Sequence, residues 1–166
     1  MKNIEIKAKC KELKKIEDIL SSIDTDFVNE VFQRDTYFKV PLGMLKLRES
    51  DDEGNSLIWY KRRRKSSPKF SEYYICQTEH HKEIKKLLEE ALGIKIIIEK
   101  FRKIYLYENV RIHLDKVKKL GSFIELEAVI SEKDNEKKSR KNINLLIEKL
   151  NIKKEELIKS SYSEMP

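Results

Sequence analysis

Along the first segment, Ile4-Glu5-Ile6-Lys7-Ala8-Lys9, apolar and charged residues alternate, the period-two pattern of a strand with one buried face. Between Lys11 and Ile23 the period changes: Leu13, Ile16, Leu20 and Ile23 recur at spacings of three and four, which predicts an amphipathic helix with a lysine-rich outer face. Phe27–Val40, rich in Val, Phe, Tyr and Thr and ended by Pro41-Leu42-Gly43, reads as a strand and a turn. Alternation resumes over Met44–Ser50, where Leu45 and Leu47 point one way and Lys46 and Arg48 the other. Asp51-Asp52-Glu53-Gly54-Asn55 predicts a hairpin loop into Ser56–Lys65, and Ser66-Ser67-Pro68 turns the chain into Lys69–Cys76. A second helix carries Ile84, Leu87, Leu88, Ala91 and Leu92 on one stripe, read as core, with Gly93 at its C-cap. Three strands follow, Ile94–Leu106, Val110–Lys116 and Phe123–Ser131, joined by short polar segments that predict hairpins. A last helix, Lys138–Leu150, presents Ile143, Leu146, Ile147 and Leu150. The expected architecture is one α+β domain over residues 1–166, with about eight antiparallel strands and the helices outside; eight strands can close into a small barrel.

Composition narrows the classes. The 166 residues include 36 Lys or Arg against 29 Asp or Glu, a net charge of +7, and 39% are hydrophobic. That is enough for a core, since a domain of about 150 residues hides roughly 70% of its unfolded surface. No run approaches the roughly 20 apolar residues of a membrane span, and the start, Met1-Lys2-Asn3-Ile4-Glu5, lacks a secretory apolar stretch. A cytoplasmic protein without membrane contact is therefore expected. Cys10 and Cys76 have no metal-ligand spacing between them and read as reduced thiols. Gly43, Gly54, Gly93 and Gly121 stand singly, so neither a Walker A loop nor a Gly-x-Gly-x-x-Gly turn can be built. Any phosphate chemistry must use side chains.

The ordinary reading of charged strand faces is that they meet solvent. The arrangement of signs argues otherwise. Glu125 and Glu127 are two apart on one strand, about 6.6 Å in backbone rise, with Phe123 on their face and Ile124, Leu126, Ala128 and Ile130 on the other. Glu5 shares a row with Lys7 and Lys9; Lys46 with Arg48, Lys61 with Trp59, and Lys100 with Arg102 form basic rows. In a closed barrel such rows line an interior, where charges need counter-charges. Carboxylates suit a hard cation such as Mg²⁺ or Mn²⁺, and basic residues round the wall suit an elongated polyanion bridged to it. A triphosphate meets both requirements.

Five stretches taken in order resemble the CYTH family, the triphosphate tunnel enzymes that include class IV adenylyl cyclases and thiamine triphosphatase. They are Asn3-Ile4-Glu5-Ile6-Lys7; Asp35-Thr36-Tyr37-Phe38; Gly43-Met44-Leu45-Lys46-Leu47-Arg48; Ile98-Glu99-Lys100-Phe101-Arg102; and His113-Leu114-Asp115-Lys116-Val117 running on through Leu120-Gly121-Ser122-Phe123-Ile124-Glu125-Leu126-Glu127. The likeness runs from about residue 3 to Ser161-Tyr162 and is strongest to the cyclase-type branch. It implies an eight-stranded antiparallel barrel with a charged tunnel. It further implies Glu5, Glu125 and Glu127 as ligands of Mg²⁺ or Mn²⁺. Lys7, Lys46, Arg48, Lys61, Lys100 and Arg102 would hold the triphosphate, and catalysis would be carried by Lys7, Arg48 and Asp115, the last positioning metal or basic side chains. The family signature Glu-x-Glu-x-Lys stands here as Asn3-Ile4-Glu5-Ile6-Lys7, with one carboxylate replaced by an amide that still offers an oxygen. The other register, Glu5-Ile6-Lys7-Ala8-Lys9, puts a lysine in the second glutamate's place.

The resemblance implies ATP conversion to cyclic AMP and pyrophosphate, with hydrolysis of inorganic or thiamine triphosphate as the alternative. A third reading keeps the tunnel as a nucleotide or polyphosphate binder without turnover. A nucleic-acid role for Lys61-Arg62-Arg63-Arg64-Lys65 ranks behind these, because a strand splits such a run between two faces. Cys76, His80, His81 and His113 lack zinc spacing, and His113 reads as a structural strand residue. Asp51–Asn55 lacks the spacing of a calcium loop. Tyr37, Tyr60, Tyr73 and Tyr74 are read first as sheet surface and second as a stacking platform for a base. A homodimer is compatible with the sequence.

Overall fold

The computed structural model describes residues 2–62, 69–131 and 135–165. Its strands are β1 (Lys2–Lys9), β2 (Asp26–Phe38), β3 (Met44–Ser50), β4 (Ser56–Arg62), β5 (Lys69–Gln77), β6 (Ile94–Tyr107), β7 (Val110–Val117) and β8 (Gly121–Val129). The helices are α1 (Leu13–Ser22), α2 (His81–Leu92) and α3 (Glu136–Lys149). All eight strands pair antiparallel in the closed order β1-β5-β4-β3-β2-β6-β7-β8. The seam between β1 and β5 is short, running from Lys2 opposite Glu72 to Glu5 opposite Lys69. Register shifts on the long β2–β6 ladder, between Phe27 and Asn29 and between Tyr37 and Phe38, bend it as closure requires. The basic residues Arg63, Arg64 and Lys65 and the Ser66–Pro68 turn lie outside the described residues.

The alternation in the strands sorts itself in an inverted way: apolar residues face outward and charged residues inward. Ile4 and Ala8 of β1, Val110, Ile112 and Leu114 of β7, and Ile124, Leu126 and Ala128 of β8 form one buried cluster with Leu13, Ile16 and Leu20 of α1 and Ile143 and Leu146 of α3. The main core thus lies between the barrel wall and two helices, each buried aliphatic side chain contributing about 1.5–3 kcal/mol. The lumen holds the charged groups together with a second, smaller apolar cluster that includes Tyr37, Ile58, Tyr60, Phe123 and Tyr162. α3 starts on Asn135, whose side chain accepts from the Lys138 N–H.

The α2 stripe is not core. Ile84, Leu88 and Leu92 are half-buried, no residue of this helix is buried, and Leu87 is 64% exposed. This helix sits against the β2–β3 corner, tied there by Lys85 to Glu49 at 3.1 Å, and among the described residues no second helix encloses its apolar face. Gly43 before β3 is required. At φ +73°, a Cβ there would stand 2.8 Å from the Tyr60 carbonyl oxygen and 2.9 Å from the Trp59 ring. No helix among the described residues is long and apolar enough to cross a membrane. Cys10 and Cys76 are free thiols.

After α3 the chain returns along β1, where Ile158 N–H donates to the Lys7 carbonyl, and ends in a turn, Tyr162–Glu164, fastened by Ser161 N–H to the Glu164 carboxylate. This delivers Tyr162, 4% exposed, into one end of the barrel against Phe123, with ring centroids 5.0 Å apart.

Candidate functional site

The barrel encloses a cavity of about 230 Å³ lined by Asn3, Glu5 and Lys7 of β1, Lys46 and Arg48 of β3, Lys100 and Arg102 of β6, and Glu125 and Glu127 of β8, among others. Strand parity puts them there: each set occupies alternate positions whose neighbours form the outer core. Of the residues expected from the sequence, Lys61 is not brought together with these. It is exposed, on the opposite face of β4 from Ile58 and Tyr60, which do line the cavity. Trp59, sharing the row of Lys61, turns outward to pack against Tyr74 at 6.0 Å between ring centroids.

The basic half centres on Asp35 of β2, opposite Arg48 in the β2–β3 register. Its two oxygens accept from Arg48 Nε and Nη2 at 2.7 Å each, and Oδ2 also accepts from Lys46 Nζ at 2.9 Å; Lys100 Nζ lies 3.8 Å from that oxygen. Three cations share one buried carboxylate. Burial pushes the Asp35 carboxyl up, but Arg48, Lys46 and Lys100 outweigh it and hold it well below the usual range. The lysines carry the strain of this crowding. Burial, followed by repulsion from Arg48, brings Lys46 down to about 8, and burial with Arg102 and Arg48 takes Lys100 well below its ordinary value.

Asp115 lies behind this wall and is not a lining residue. Arg102 Nε and Nη2 donate to its two oxygens at 2.7 Å each, and the Tyr162 hydroxyl donates to Oδ2 at 2.7 Å. Burial would raise its carboxyl, yet Arg102 holds it at about 2. Its geometry is that of a group orienting Arg102. Tyr162 also places its ring 3.8 Å from Lys7 Nζ and 5.4 Å from Lys100 Nζ, cation–π distances. Tyr162→Phe is expected to cost about 1.5–3 kcal/mol of stability, the worth of a hydrogen bond to a charged acceptor; the midpoint of chemical unfolding checks it.

The acidic half lies where β1 meets β8. Glu5 pairs across strands with Glu127 and Lys7 with Glu125. Lys7 Nζ is 3.1 Å from Glu125 Oε2, while Glu125 Oε1 is 3.1 Å from His113 Nδ1 and 3.4 Å from Arg102 Nη2. Burial raises the Glu125 carboxyl, but Lys7, Arg102 and His113 together hold it well below the carboxylate range. Asn3, 4% exposed, donates its amide to Glu127, and its Oδ1 is buried with no hydrogen-bond partner. An orphaned buried oxygen beside carboxylates is a polar group that a cation would satisfy. Glu125 and Glu127 fall with His113 in a group whose ligand atoms lie within 4.8 Å of one another, and Glu5 and Asn3 line the same cavity, so the donors present fit a divalent ion.

Exposure gives the cavity a direction. Ile75 and Val129 are 44% and 39% exposed and mark a rim with Tyr73 and Arg111, whereas Tyr162, Lys7 and Lys100 form a buried floor. Asp35, His113, Arg111 and Tyr162 were not singled out from the sequence as site residues. For Asp35 and His113 the available signal was parity, since each shares its strand face with an expected site residue or a lining tyrosine, Asp115 and Tyr37 respectively for His113 and Asp35. Tyr37 and Tyr60 line the cavity and Tyr73 its rim, but Tyr74 faces outward, 73% exposed.

A family model described as the CYTH domain matches residues 1–162. The chain is 30% identical over 182 residues to the Methanocaldococcus jannaschii protein named "Putative adenylate cyclase MJ0240", covering 99% of this chain and 98% of that one. Among solved structures, a conserved hypothetical protein of Pyrococcus furiosus superposes with a TM-score of 0.87 at 21% identity, over 99% of both chains. A Vibrio parahaemolyticus structure, named as a putative adenylate cyclase, superposes at 0.79 with 18% identity, over 98% of this chain and 95% of its own. At those identities the two structures establish a shared fold.

Proposed function

The chain belongs to the CYTH domain family, and from that premise we propose that it is a divalent-metal-dependent enzyme acting on a triphosphate held in the barrel, closest to a class IV adenylyl cyclase. The observation that carries this reading is the sharing of Asp35 by Lys46, Arg48 and Lys100. Burying more cations than counter-charges is costly, and a polyanion relieves the cost. Glu5, Glu125 and Glu127, with the Asn3 oxygen, would hold Mg²⁺ or Mn²⁺. When bound, the ion supplies charge neutralisation at the phosphates.

The remaining chemistry belongs to the chain itself. Lys46, Arg48 and Lys100 bind phosphoryl oxygens and stabilise the negative charge of a departing pyrophosphate, preorganised by Asp35 before substrate arrives. Arg102, oriented by Asp115, and Lys7, backed by the Tyr162 ring, add donors on the other wall. Tyr162 closes the floor and excludes water from that end. Tyr73, Ile75 and Val129 at the rim offer ring and aliphatic surface to an organic group attached to the phosphates, the observation that favours a nucleoside triphosphate over an inorganic one. In the cyclase reaction the ribose 3′-hydroxyl attacks the α-phosphorus and pyrophosphate leaves.

Thermal unfolding tests the binding half of this reading. Inorganic triphosphate should raise the midpoint by several degrees through mass action, and orthophosphate at matched ionic strength should not. Equal shifts from both, or none, would overturn it.

The pH dependence has a definite sign. Within the barrel the Lys46 amine is brought down to about 8 from 10.5, so its charged form penalises the fold below pH 8. That penalty is relieved as pH rises from 8 towards 10.5, and the protein without added triphosphate gains stability there. Triphosphate requires the charged form. Its affinity should fall above pH 8, by up to about tenfold per unit for each lysine that must take up a proton; titration calorimetry at pH 7 and pH 9.5 measures this.

A further inference from the structure

Among the described residues, His113, Glu125 and Glu127 form a group whose ligand atoms all lie within 4.8 Å of one another. His113 is 3% exposed, on the interior face of β7, between Ile104 of β6 and Glu125 of β8 in the strand registers. We propose that His113 is itself a metal ligand, and that its imidazole nitrogen with the Glu125 and Glu127 oxygens makes a mixed donor set that takes Mn²⁺ in preference to Mg²⁺. This rests on the reading of the acidic half as a divalent-ion site and adds to it a ligand and a selectivity.

The distances suit the role. Adjacent ligands of an octahedral ion at about 2.1 Å stand about 3.0 Å apart, and His113 Nδ1 stands 3.1 Å from Glu125 Oε1. Glu125 meets Lys7 through Oε2, so an ion on the Oε1 side leaves that pair in place. It replaces the hydrogen bond between His113 and Glu125 and the 3.4 Å contact of Arg102 Nη2 with the same oxygen, leaving Arg102 its two bonds to Asp115; Nδ1 then binds the ion with the imidazole proton on Nε2. Selectivity follows from donor chemistry. Mg²⁺ holds oxygen ligands and dehydrates reluctantly, whereas imidazole nitrogen suits transition ions.

Pulsed electron paramagnetic resonance on the full chain loaded with Mn²⁺, without nucleotide, tests this directly. Modulation from a bound ¹⁴N nucleus is expected in the natural protein and should vanish in His113→Gln. Calorimetric titration of that variant should show Mn²⁺ weakened about tenfold or more, with Mg²⁺ changed less than about threefold because oxygen ligands dominate its binding. His113→Asn and metal-free thermal unfolding control for folding, and the resonance measurement on the natural protein stands even if both variants fail to fold. Mn²⁺ bound without nitrogen coupling, or equal weakening of both ions, would overturn the role of His113 while leaving the triphosphate reading intact. Absence of binding by either ion, with no turnover, would overturn both.

Discussion

Arg48→Ala is expected to lower turnover by about 10²–10³-fold, the cost of removing one preorganised donor to developing charge, while the barrel stays folded. The two effects separate because of how Asp35 is shared. Without Arg48 the carboxylate keeps Lys46 at 2.9 Å and Lys100 at 3.8 Å, both on Oδ2, so the buried anion stays paired although Oδ1 loses its Arg48 donor. Repulsion from Arg48 follows burial as the cause that depresses the Lys46 amine, so its loss should raise that amine and offset part of the lost ion pair, and the unfolding temperature should fall by less than in Asp35→Asn. Activity and thermal unfolding measured on one preparation check the prediction. Retained turnover in a folded variant would remove Arg48 from the site.

Asp35→Asn should do the reverse. It takes away the carboxylate common to Lys46, Arg48 and Lys100 and leaves three crowded cations in a buried wall. Breaking a buried pair by removing one partner costs about 3–5 kcal/mol, and at about 2–4 °C per kcal/mol for a domain of this size the midpoint should fall by roughly 10 °C. Inorganic triphosphate should restore part of that loss, since it supplies the missing negative charge. A variant as stable as the natural protein in phosphate-free buffer would show that the lumen does not carry the excess charge assigned to it.

Much of this site was legible because strand periodicity survives closure. Met44–Ser50 is a strand with the bounds its alternation predicts, and β1 and β8 present the expected rows: Glu5 and Lys7 against Glu127 and Glu125. Parity failed where both faces of a strand look alike. In β4, Ile58 and Tyr60 form one row and Trp59 and Lys61 the other, and each row mixes bulk with polarity. Packing decides between them: Trp59 turns outward to donate to the Leu42 carbonyl at 3.0 Å, which carries Lys61 out with it. The α2 stripe failed for a different reason, since a helical period shows which side faces the barrel but not how completely it is covered. Tyr162 was beyond any local pattern. Its place depends on a tail that runs back along β1 after α3, a contact between residues far apart in the chain. Asp115 is expected from the resemblance as a group that positions metal or basic side chains, but only the packing shows Arg102 and Tyr162 occupying its oxygens.

Product analysis by chromatography tests the central claim most directly. Purified protein is incubated with Mg²⁺ or Mn²⁺ and, separately, with ATP, thiamine triphosphate and inorganic triphosphate. The account predicts cyclic AMP and pyrophosphate from ATP, with Arg48→Ala nearly inactive in the same assay. Orthophosphate with a diphosphate would keep the triphosphate site and move the reaction to hydrolysis. No product from any of the three with either ion would contradict the claim that this barrel is an enzyme.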